Sequence, residues 1–404
     1  GQTIALGAPL NANLAGGLTL LSAEFPPSVA SGADFDASLY LTAREHTEQQ
    51  YRPRFDLISP DGLLWNNGNE ALPPRWHREP PETSQWPLGQ YAQWARRQTI
   101  LPGTPPGDYK LTVTVFDRAS LAPDSIVDEN GNALSPVIAL GTIRVTRPAA
   151  PPALADLNIE HQIEHDFGPL TLLGYNLDRA EARPGDNVLI TLFLRANNSI
   201  TNYQLPVTNY QFNLFTPPYP TSLWQPGDIW RFQTLQRIPA DTASGPFRFN
   251  LSLADTESLS LDLAPIHLTA PDRIFTPPSI ATPTSIHFGN SIELSGYEIK
   301  ITNNQLLITL LWYALATPNA DLLAFIHIED SSGRVVAQSD SVPANWSRPT
   351  TGWIRGEYIL DPRSLPILPT GEYNLFVGLA DRLSGARLST PDGDRALIGV
   401  YKAP

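Results

Sequence analysis

Cysteine and methionine are both absent from this sequence of 404 residues. Without cysteine the chain has no disulfide bonds, thiolate metal sites or cysteine nucleophiles. Because the first residue is Gly1 rather than methionine, we expect that the chain begins after processing or was cut from a longer protein. No apolar run approaches the roughly 18 residues that a membrane-spanning helix needs. We therefore predict that this chain contains no transmembrane segment.

Basic residues are scarce relative to acidic ones. There are 27 Lys and Arg against 40 Asp and Glu, which gives a formal net charge of −13. Phosphate groups are bound by clustered Lys and Arg, so we expect no nucleic acid partner. The motifs G-x-S-x-G, the Walker loop and G-x-G-x-x-G are also missing. The protein is therefore predicted not to be an enzyme and to use no cofactor.

Helical periodicity is missing as well. No segment of about 12 or more residues repeats its apolar positions every ~3.6 residues. Short alternating or apolar runs between turn residues occur instead, such as 109–116, 188–194 and 306–312. Such runs are typical of strands, and the 40 prolines suit the many connections of a β protein. The sequence therefore predicts an all-β fold built from sandwiches of antiparallel sheets.

The main feature that is present is a phrase, Thr-x-x-Trp-x-x-Gly, that occurs three times. Its tryptophans, Trp86, Trp224 and Trp353, are 138 and 129 residues apart. Each phrase is followed by an aromatic residue and, eight residues after that, by an aspartate. These pairs are Tyr109 and Asp117, Phe247 and Asp255, and Tyr373 and Asp381. A period this long is that of a whole domain rather than of a solenoid repeat of about 20–50 residues.

The repeat predicts three tandem immunoglobulin-like antiparallel β-sandwich domains, at residues 1–147, 157–270 and 284–404. Their three repeated tryptophans are expected to be buried in equivalent positions. Proline-rich linkers are predicted at 148–156 and 271–283. The first and third copies also have the pattern of a central hairpin, with turns at 59–62 and 332–333. The second copy lacks that hairpin and is predicted to be degenerate.

Several scaffold segments resemble a known kind of repeat. They are 167–175, which reads Phe-Gly-Pro-Leu-Thr-Leu-Leu-Gly-Tyr, the similar 288–297, the pattern Pro-x-Gly-x-Tyr-x-Leu, and 140–145. Together they resemble the β-sandwich repeat domains in extracytoplasmic regions of uncharacterised membrane and surface proteins of Chloroflexota-type bacteria. The resemblance covers most of the second and third copies and the latter half of the first. It implies a β-sandwich fold and an extracytoplasmic location, at the cell surface or secreted, and it assigns no catalytic residue.

Two patterns raise the question of metal binding. The segment from His161 to His165 matches the H-x-x-E-H pattern of a zinc-peptidase class, which requires a helix to bring both imidazoles together. Here apolar and polar residues alternate from Ile159 to Phe167, which predicts a strand and no metal. Oxygen-rich turns at 128–132, with the nearby Asp124, and at 392–394 are either calcium sites or plain turns.

The candidate ligand-binding residues are two tryptophans outside the repeated phrase. Trp76 and Trp346 each precede a repeated tryptophan and have an arginine two residues on, Arg78 and Arg348; Arg75 adjoins Trp76. Aromatic faces beside polar side chains are suited to sugar stacking or to a protein interface. The same residues would also serve as an aromatic lid over the open end of a sandwich.

The sequence favours a non-catalytic extracytoplasmic structural or interaction module with a spacer, adhesion or surface-assembly role. Its partner would be a protein or glycan at the cell surface, or a second copy pairing through exposed sheet edges. The alternative is a carbohydrate-binding accessory module of a larger membrane-associated enzyme. Exposure of the Trp76 and Trp346 rings separates the two hypotheses, because buried rings would belong to the scaffold.

Overall fold

A computed structural model describes residues 8–73, 82–198, 205–207, 213–215, 219–252, 260–302, 305–382 and 384–403. Over these ranges the chain has strands and short 3₁₀ turns but no α-helix, so the all-β prediction is confirmed. Nowhere in the described part is there a helix long and apolar enough to cross a membrane. The 3₁₀ turns are Thr83–Gln85, Leu154–Leu157, Thr221–Leu223 and Thr350–Gly352.

The chain forms two compact units, each made of several segments. The first unit comprises 1–176, 190–234 and 250–261. The second comprises 177–189, 235–249 and 262–404.

Residues 8–146 of the first unit form two main sheets. The strands of this region are β1 (Ala8–Asn13), β2 (Leu18–Glu24), β3 (Ser28–Ala30), β4 (Asp34–Ala43), β5 (Tyr51–Ile58), β6 (Asn66–Leu72), β7 (Tyr91–Ile100), β8 (Gly107–Asp117), β9 (Pro123–Asp124), β10 (Ile126–Val127), β11 (Ala133–Ser135) and β12 (Val137–Thr146), of which β10 and β11 form a separate two-stranded ladder. One sheet has the order β1-β2-β4-β7-β6, and the other has the order β3-β12-β8-β5 with β9 beside β8. Both sheets bury alternate side chains, including the fully buried Leu39, Leu41, Phe55, Leu111 and Val113.

The central hairpin predicted for the first copy is present as a short antiparallel ladder next to its turn, where the Trp65 N–H donates to the carbonyl of Leu57 at 2.8 Å and Ile58 pairs with Leu64. A 2.9 Å backbone hydrogen bond closes 59–62, but β6 pairs with β7 in the other sheet. Beyond this ladder, asparagine side chains still bond to β5: Asn66 Oδ1 accepts the backbone N–H of Leu57, and Asn69 Oδ1 accepts that of Phe55. The predicted hairpin is therefore confirmed next to its turn, whereas the strand that follows, β6, lies in the other sheet.

The middle of the chain is built from shorter strands. They are β13 (His161–Asp166), β14 (Leu170–Leu177), β15 (Glu181–Ala182), β16 (Asn187–Ala196), β17 (Leu205–Val207), β18 (Asn213–Phe215), β19 (Ile229–Arg237), β20 (Gly245–Phe247), β21 (Asn250–Ser252), β22 (Ser260–Asp262) and β23 (Ile266–Leu268). The sheets have the orders β13-β14-β16-β19 and β15-β23-β20, with two-stranded ladders β17-β18 and β21-β22. In the first unit, Leu157, Leu173, Phe193 and Ile229 form a small buried cluster.

Residues 282–403 of the second unit form two four-stranded antiparallel sheets. Their strands are β24 (Thr282–Phe288), β25 (Ile292–Thr302), β26 (Gln305–Ala314), β27 (Leu322–Glu329), β28 (Val335–Ser341), β29 (Tyr358–Pro366), β30 (Gly371–Asp381) and β31 (Ala396–Ala403). The sheet orders are β24-β25-β26-β29 and β28-β27-β30-β31. The predicted central hairpin is present as β27-β28, and residues of both sheets share one core around Trp312 and Trp353.

Candidate functional site

The repeated phrase forms the same local structure three times. Trp86, Trp224 and Trp353 each follow a 3₁₀ turn and are only 3%, 2% and 0% exposed, so their predicted burial is confirmed. The glycine that ends each phrase has a left-handed φ of 72°, 86° or 88°, a conformation that favours glycine. Its N–H donates a 2.8 Å hydrogen bond to an alanine carbonyl at the end of a strand, in every copy. The bonded pairs are Gly89 with Ala43, Gly227 with Ala196, and Gly356 with Ala314.

The threonine that opens the phrase also has a structural role. In the first and third copies its hydroxyl accepts a backbone N–H at 2.9 Å and donates to a carbonyl at 2.7 Å. The partners are Tyr51 and Gln49 for Thr83, and Leu322 and Ala320 for Thr350. These bonds join the 3₁₀ turn to the start of the neighbouring strand.

The second half of the repeat is structural as well. Tyr109 donates its hydroxyl to the carbonyl of Pro105 at 2.9 Å, and Tyr373 donates to the carbonyl of Pro369 at 3.0 Å. A tyrosine bonded to a carbonyl a few residues upstream is a tyrosine corner, a hallmark of immunoglobulin-like sandwiches. Phe247 occupies the same place in the middle copy and has no hydroxyl to donate.

The repeated aspartates close turns. Asp117 accepts the backbone N–H of Ser120 at 2.9 Å, and Asp381 accepts that of Ser384 at 2.7 Å. Hydrogen bonds from the Ser120 hydroxyl and N–H hold the pKa of Asp117 below its usual value. Asp255 lies outside the described residues. The described residues of the repeat therefore have structural roles, and the candidate ligand residues are ones that the copies do not share.

Of the predicted ligand residues, Trp76, Arg75 and Arg78 lie outside the described residues. Trp346 is 54% exposed, as a binding aromatic would be. Arg348 lies on the same turn but has a different role. Its side chain is 14% exposed and donates to the fully buried carboxylate of Glu357. The structure thus directs the Arg348 guanidinium to a buried ion pair rather than to the solvent beside Trp346.

Trp346 belongs to a strained turn. Ala344, Asn345 and Trp346 have φ values of 54°, 52° and 67°, so three consecutive non-glycine residues are left-handed. Each such residue costs roughly 1–2 kcal/mol and persists only where the surroundings hold it. The Trp346 N–H donates to the carbonyl of Val342 at 3.0 Å, and the Ala344 N–H donates to Asp361 Oδ1 at 2.8 Å.

Asp361 connects this turn to the core. Its side chain is fully buried, pairs with Arg363 at 2.7 Å and accepts the indole N–H of Trp312 at 3.2 Å. Arg363 also donates to the carbonyl of Ser341 at 3.2 Å, just before the turn. The positions equivalent to Asp361 in the other copies hold Trp94 and Phe232, eight residues after the repeated tryptophan. The carboxylate of Asp361, at a position where the other copies have an aromatic core residue, was therefore a sequence signal for the supported turn, and it is not among the predicted site residues.

The polar neighbours of the Trp346 ring come from elsewhere in the chain. The Arg382 guanidinium carbon lies 5.5 Å from the ring centroid, within the range of a cation–π contact. Arg382 also donates to Asp321 Oδ2 at 3.0 Å. The other oxygen, Asp321 Oδ1, is buried and has no hydrogen-bond partner among the described residues. We call Trp346, Arg382 and Asp321 the Trp346 platform.

Buried arginine–carboxylate pairs join successive copies of the repeat. In the second unit, Arg273 donates to Glu357 at 2.6 Å and to the carbonyls of Gly352 at 3.1 Å and Ala240 at 2.5 Å. Glu357 is fully buried and also accepts from Arg348. We call Arg273, Glu357 and Arg348 the Arg–Glu–Arg cluster.

A related arrangement occurs in the first unit. Arg147, which follows β12, pairs with Asp228, whose side chain is 5% exposed. Asp228 and Glu357 are both four residues after their repeated tryptophan. Nearby, Arg231 is buried and donates to the carbonyls of Pro102 at 3.2 Å and Leu157 at 3.1 Å, and its burial lowers its pKa to about 10.

The histidine segment is a strand, as predicted. His161 and His165 lie on β13, which pairs antiparallel with β14 and has a bulge between Gln162 and His165. The His161 ring stacks on Tyr175 with centroids 4.7 Å apart, whereas the His165 ring contacts Phe167 edge-on at 4.6 Å. Across the described ranges no group of three or more His, Asp or Glu side chains is placed to hold a metal ion.

The oxygen-rich turns have internal partners. Asp128 accepts the N–H groups of Asn130 and Asn132, both at 2.8 Å, and hydrogen bonds from Asn132 hold its pKa below the usual value. Asp124 accepts the N–H of Gly16, and its burial raises its pKa. These bonds account for the turns without an ion, and calcium binding stays a hypothesis.

Comparisons with known proteins do not assign this chain to a family. No family model matches the sequence, and no curated protein matches it. Among solved structures the chain is similar to dimeric latent PorU from Porphyromonas gingivalis, with 10% identity, a TM-score of 0.19, and coverage of 96% of this chain and 34% of that one. It is also similar to the Bacillus anthracis TIE protein, with 8% identity, a TM-score of 0.12, and coverage of 93% and 72%. This chain thus spans about a third of the PorU chain.

Proposed function

We propose that residues 1–147, 157–270 and 284–404 are three tandem immunoglobulin-like sandwiches that act as a non-catalytic, extracytoplasmic structural and interaction module. The tyrosine corners of Tyr109 and Tyr373 support the fold. The repeated polar residues support this role, because the hydrogen bonds described for them stabilise turns and the ends of strands. A spacer, adhesion or surface-assembly role fits such a scaffold.

The observation that carries this proposal is the buried pairing between successive copies. Arg147, at the end of the first copy, pairs with Asp228, and Arg273, in the linker after the second copy, pairs with Glu357; each carboxylate directly follows the repeated phrase of the next copy. Burying a carboxylate costs several kcal/mol unless it is paired and hydrogen-bonded, and a paired one sets a specific geometry. A module that holds partners at a defined separation needs junctions of this kind.

Small-angle scattering of the purified chain tests the junction. In the Glu357→Ala variant, Arg273 and Arg348 lose their shared carboxylate, so the distribution of interatomic distances should broaden while circular dichroism keeps its strand signal. Glu372→Ala is the matched control, because Glu372 forms a solvent-exposed pair with Lys402. An unchanged distance distribution in Glu357→Ala would count against fixed junctions.

The extracytoplasmic location has its own test. An antiserum raised against the purified chain is applied to intact and to lysed cells of the source organism. Labelling of intact cells is the expected result, and labelling that requires lysis would contradict it.

A second candidate function, carbohydrate binding as an accessory module of a larger membrane-associated enzyme, is favoured by Trp346. Its ring is 54% exposed on a turn that the buried Asp361 supports, whereas the repeated tryptophans are at most 3% exposed. A glycan array with Trp346→Ala tests this candidate. Leu397→Ala is the control, since Leu397 is similarly exposed, at 52%, on β31 of the same unit. Glycan binding that survives Trp346→Ala would remove this site from consideration.

A further inference from the structure

One exposed guanidinium group lies close to the exposed Trp346 ring, and a second bonds to the backbone of the turn that carries it. Arg382 is 52% exposed at its side chain and lies 5.5 Å from the ring centroid. Arg183, also exposed, donates to the carbonyl of Ser347, the next residue in the chain, at 2.9 Å. Two arginines therefore lie at the turn that carries Trp346, on a protein whose formal net charge is −13.

The turn that carries the ring is held in place before any ligand arrives. Its backbone is left-handed, with a φ of 67°, and the turn is bonded to the buried Asp361–Arg363 pair. A turn that is already ordered loses little conformational entropy on binding, so more of the contact energy appears as affinity. This is the arrangement of a binding surface rather than of a mobile loop.

We propose that Trp346, Arg382 and Arg183 bind a uronic acid unit of an acidic polysaccharide, an inference that rests on the carbohydrate-binding candidate above. A pyranose ring presents a face of C–H groups that packs on a flat aromatic ring. A guanidinium presents several N–H donors in a fork that matches a carboxylate. In the described structure the guanidinium groups of Arg183 and Arg382 each donate one side-chain hydrogen bond, so further N–H groups of each guanidinium can bond to a ligand.

Asp321 positions Arg382 and also offsets its charge. Its Oδ2 atom accepts from Arg382 at 3.0 Å, and its buried Oδ1 atom has no partner in the described structure. Asparagine at this position would keep an acceptor for Arg382 and remove the negative charge. Affinity for an anionic ligand should therefore rise several-fold in Asp321→Asn, because a repulsive charge close to the ligand is gone.

Titration calorimetry with oligogalacturonate, and with the same oligomer after methyl esterification, tests the inference. The esterified oligomer keeps the sugar rings and loses the charge. We expect the wild type to bind the acid form at least about tenfold more tightly than the ester, since charge-assisted hydrogen bonds are the strong ones. Trp346→Ala should weaken binding of both forms, whereas Arg382→Ala should weaken that of the acid form alone by about tenfold.

Arg118→Ala provides the matched control, because Arg118 also follows a repeated aspartate but lies in the first copy, away from this site in sequence. Its binding should equal that of the wild type. Equal affinity for acid and ester, with both lost in Trp346→Ala, would overturn the uronate inference and leave carbohydrate binding intact. Binding unaffected by Trp346→Ala would overturn both. Binding of a polyglutamate peptide with the same dependence on Trp346 and Arg382 would show that the ligand class is an acidic peptide.

Discussion

Glu357 accepts hydrogen bonds from both Arg273 and Arg348 and is fully buried. Replacing it with glutamine keeps its shape and removes the charge that both guanidinium groups need. Because breaking a buried ion pair leaves an uncompensated charge, Glu357→Gln should lower the free energy of unfolding by about 3 kcal/mol. Urea denaturation followed by tryptophan fluorescence measures this. The exposed Glu372→Gln should leave the denaturation midpoint where it is, and an equal midpoint in Glu357→Gln would contradict the role of the cluster.

Tyr109 links stability to pH. Its hydroxyl is buried, and this burial raises its pKa well above the ordinary value. Between the unfolded pKa of about 10 and the higher folded one, only the unfolded chain loses the proton. The contribution of Tyr109 is therefore fully present below pH ~10 and is lost as the pH rises above it.

Tyr109→Phe should remove part of the loss of stability at alkaline pH. It should also lower the free energy of unfolding by about 1 kcal/mol at neutral pH, because the hydrogen bond to the carbonyl of Pro105 is lost. Unfolding midpoints measured at neutral pH and above pH ~10 check both effects. Tyr91→Phe, at a site that is 56% exposed, is the control. A variant with the same pH slope as the wild type would contradict this assignment.

At the scale of elements, two turns each contain a glycine just before a long strand, and the space around these two glycines differs. Gly185 has a φ of 91°, and a Cβ added there would lie 2.3 Å from Gly352 Cα. Gly32 has a φ of 79°, and the nearest atom to such a Cβ, in Pro102, would be 3.6 Å away. The first turn is therefore in close backbone contact, and the second has room for a methyl group.

Gly32→Ala should cost about 1 kcal/mol, the penalty for a left-handed alanine alone. Gly185→Ala should cost at least about 2 kcal/mol more, because the backbone of the Thr350–Gly352 turn has to move. Chemical denaturation of both variants separates the two effects. Equal costs would mean that the 183–186 turn is free to shift away from Gly352.

At the scale of the whole molecule, each compact unit has its own buried core. The first unit contains the fully buried Leu39, Phe55 and Leu111, and the second contains the cluster around Trp312 and Trp353. Units with separate cores can unfold in separate transitions.

We expect differential scanning calorimetry to show two transitions that respond to different substitutions. Trp86→Phe should lower one Tm and Trp353→Phe the other, since each leaves a cavity in its own unit. Leu88→Ala, at a position that is 65% exposed, is the control and should move neither. A single transition shifted by both tryptophan substitutions would show that the chain unfolds as one cooperative body.

The sequence by itself determined the features whose causes are local. The phrase from Thr83 to Gly89 and its two repeats predicted buried tryptophans, because a 3₁₀ turn closed by the backbone bond from the tryptophan N–H to the threonine carbonyl, and a left-handed glycine, depend on neighbours within a few residues. Alternation from Ile159 to Phe167 likewise excluded a zinc-binding helix, and β13 confirmed it. All-β architecture followed from the same kind of short-range pattern.

Only the tertiary structure decided which residues meet. Asp321, Trp346 and Arg382 are separated by 25 and 36 residues, and nothing in their spacing indicates that they form one platform. Arg348 was chosen beside Trp346 because the two are close in sequence, yet its guanidinium turns to the buried Glu357. Likewise, the sequence did not indicate that β6 pairs with β7, while the side-chain oxygens of Asn66 and Asn69 accept backbone N–H groups of β5. Contacts between distant segments depend on burial and charge pairing in the folded chain, and these are properties that no local window of sequence contains.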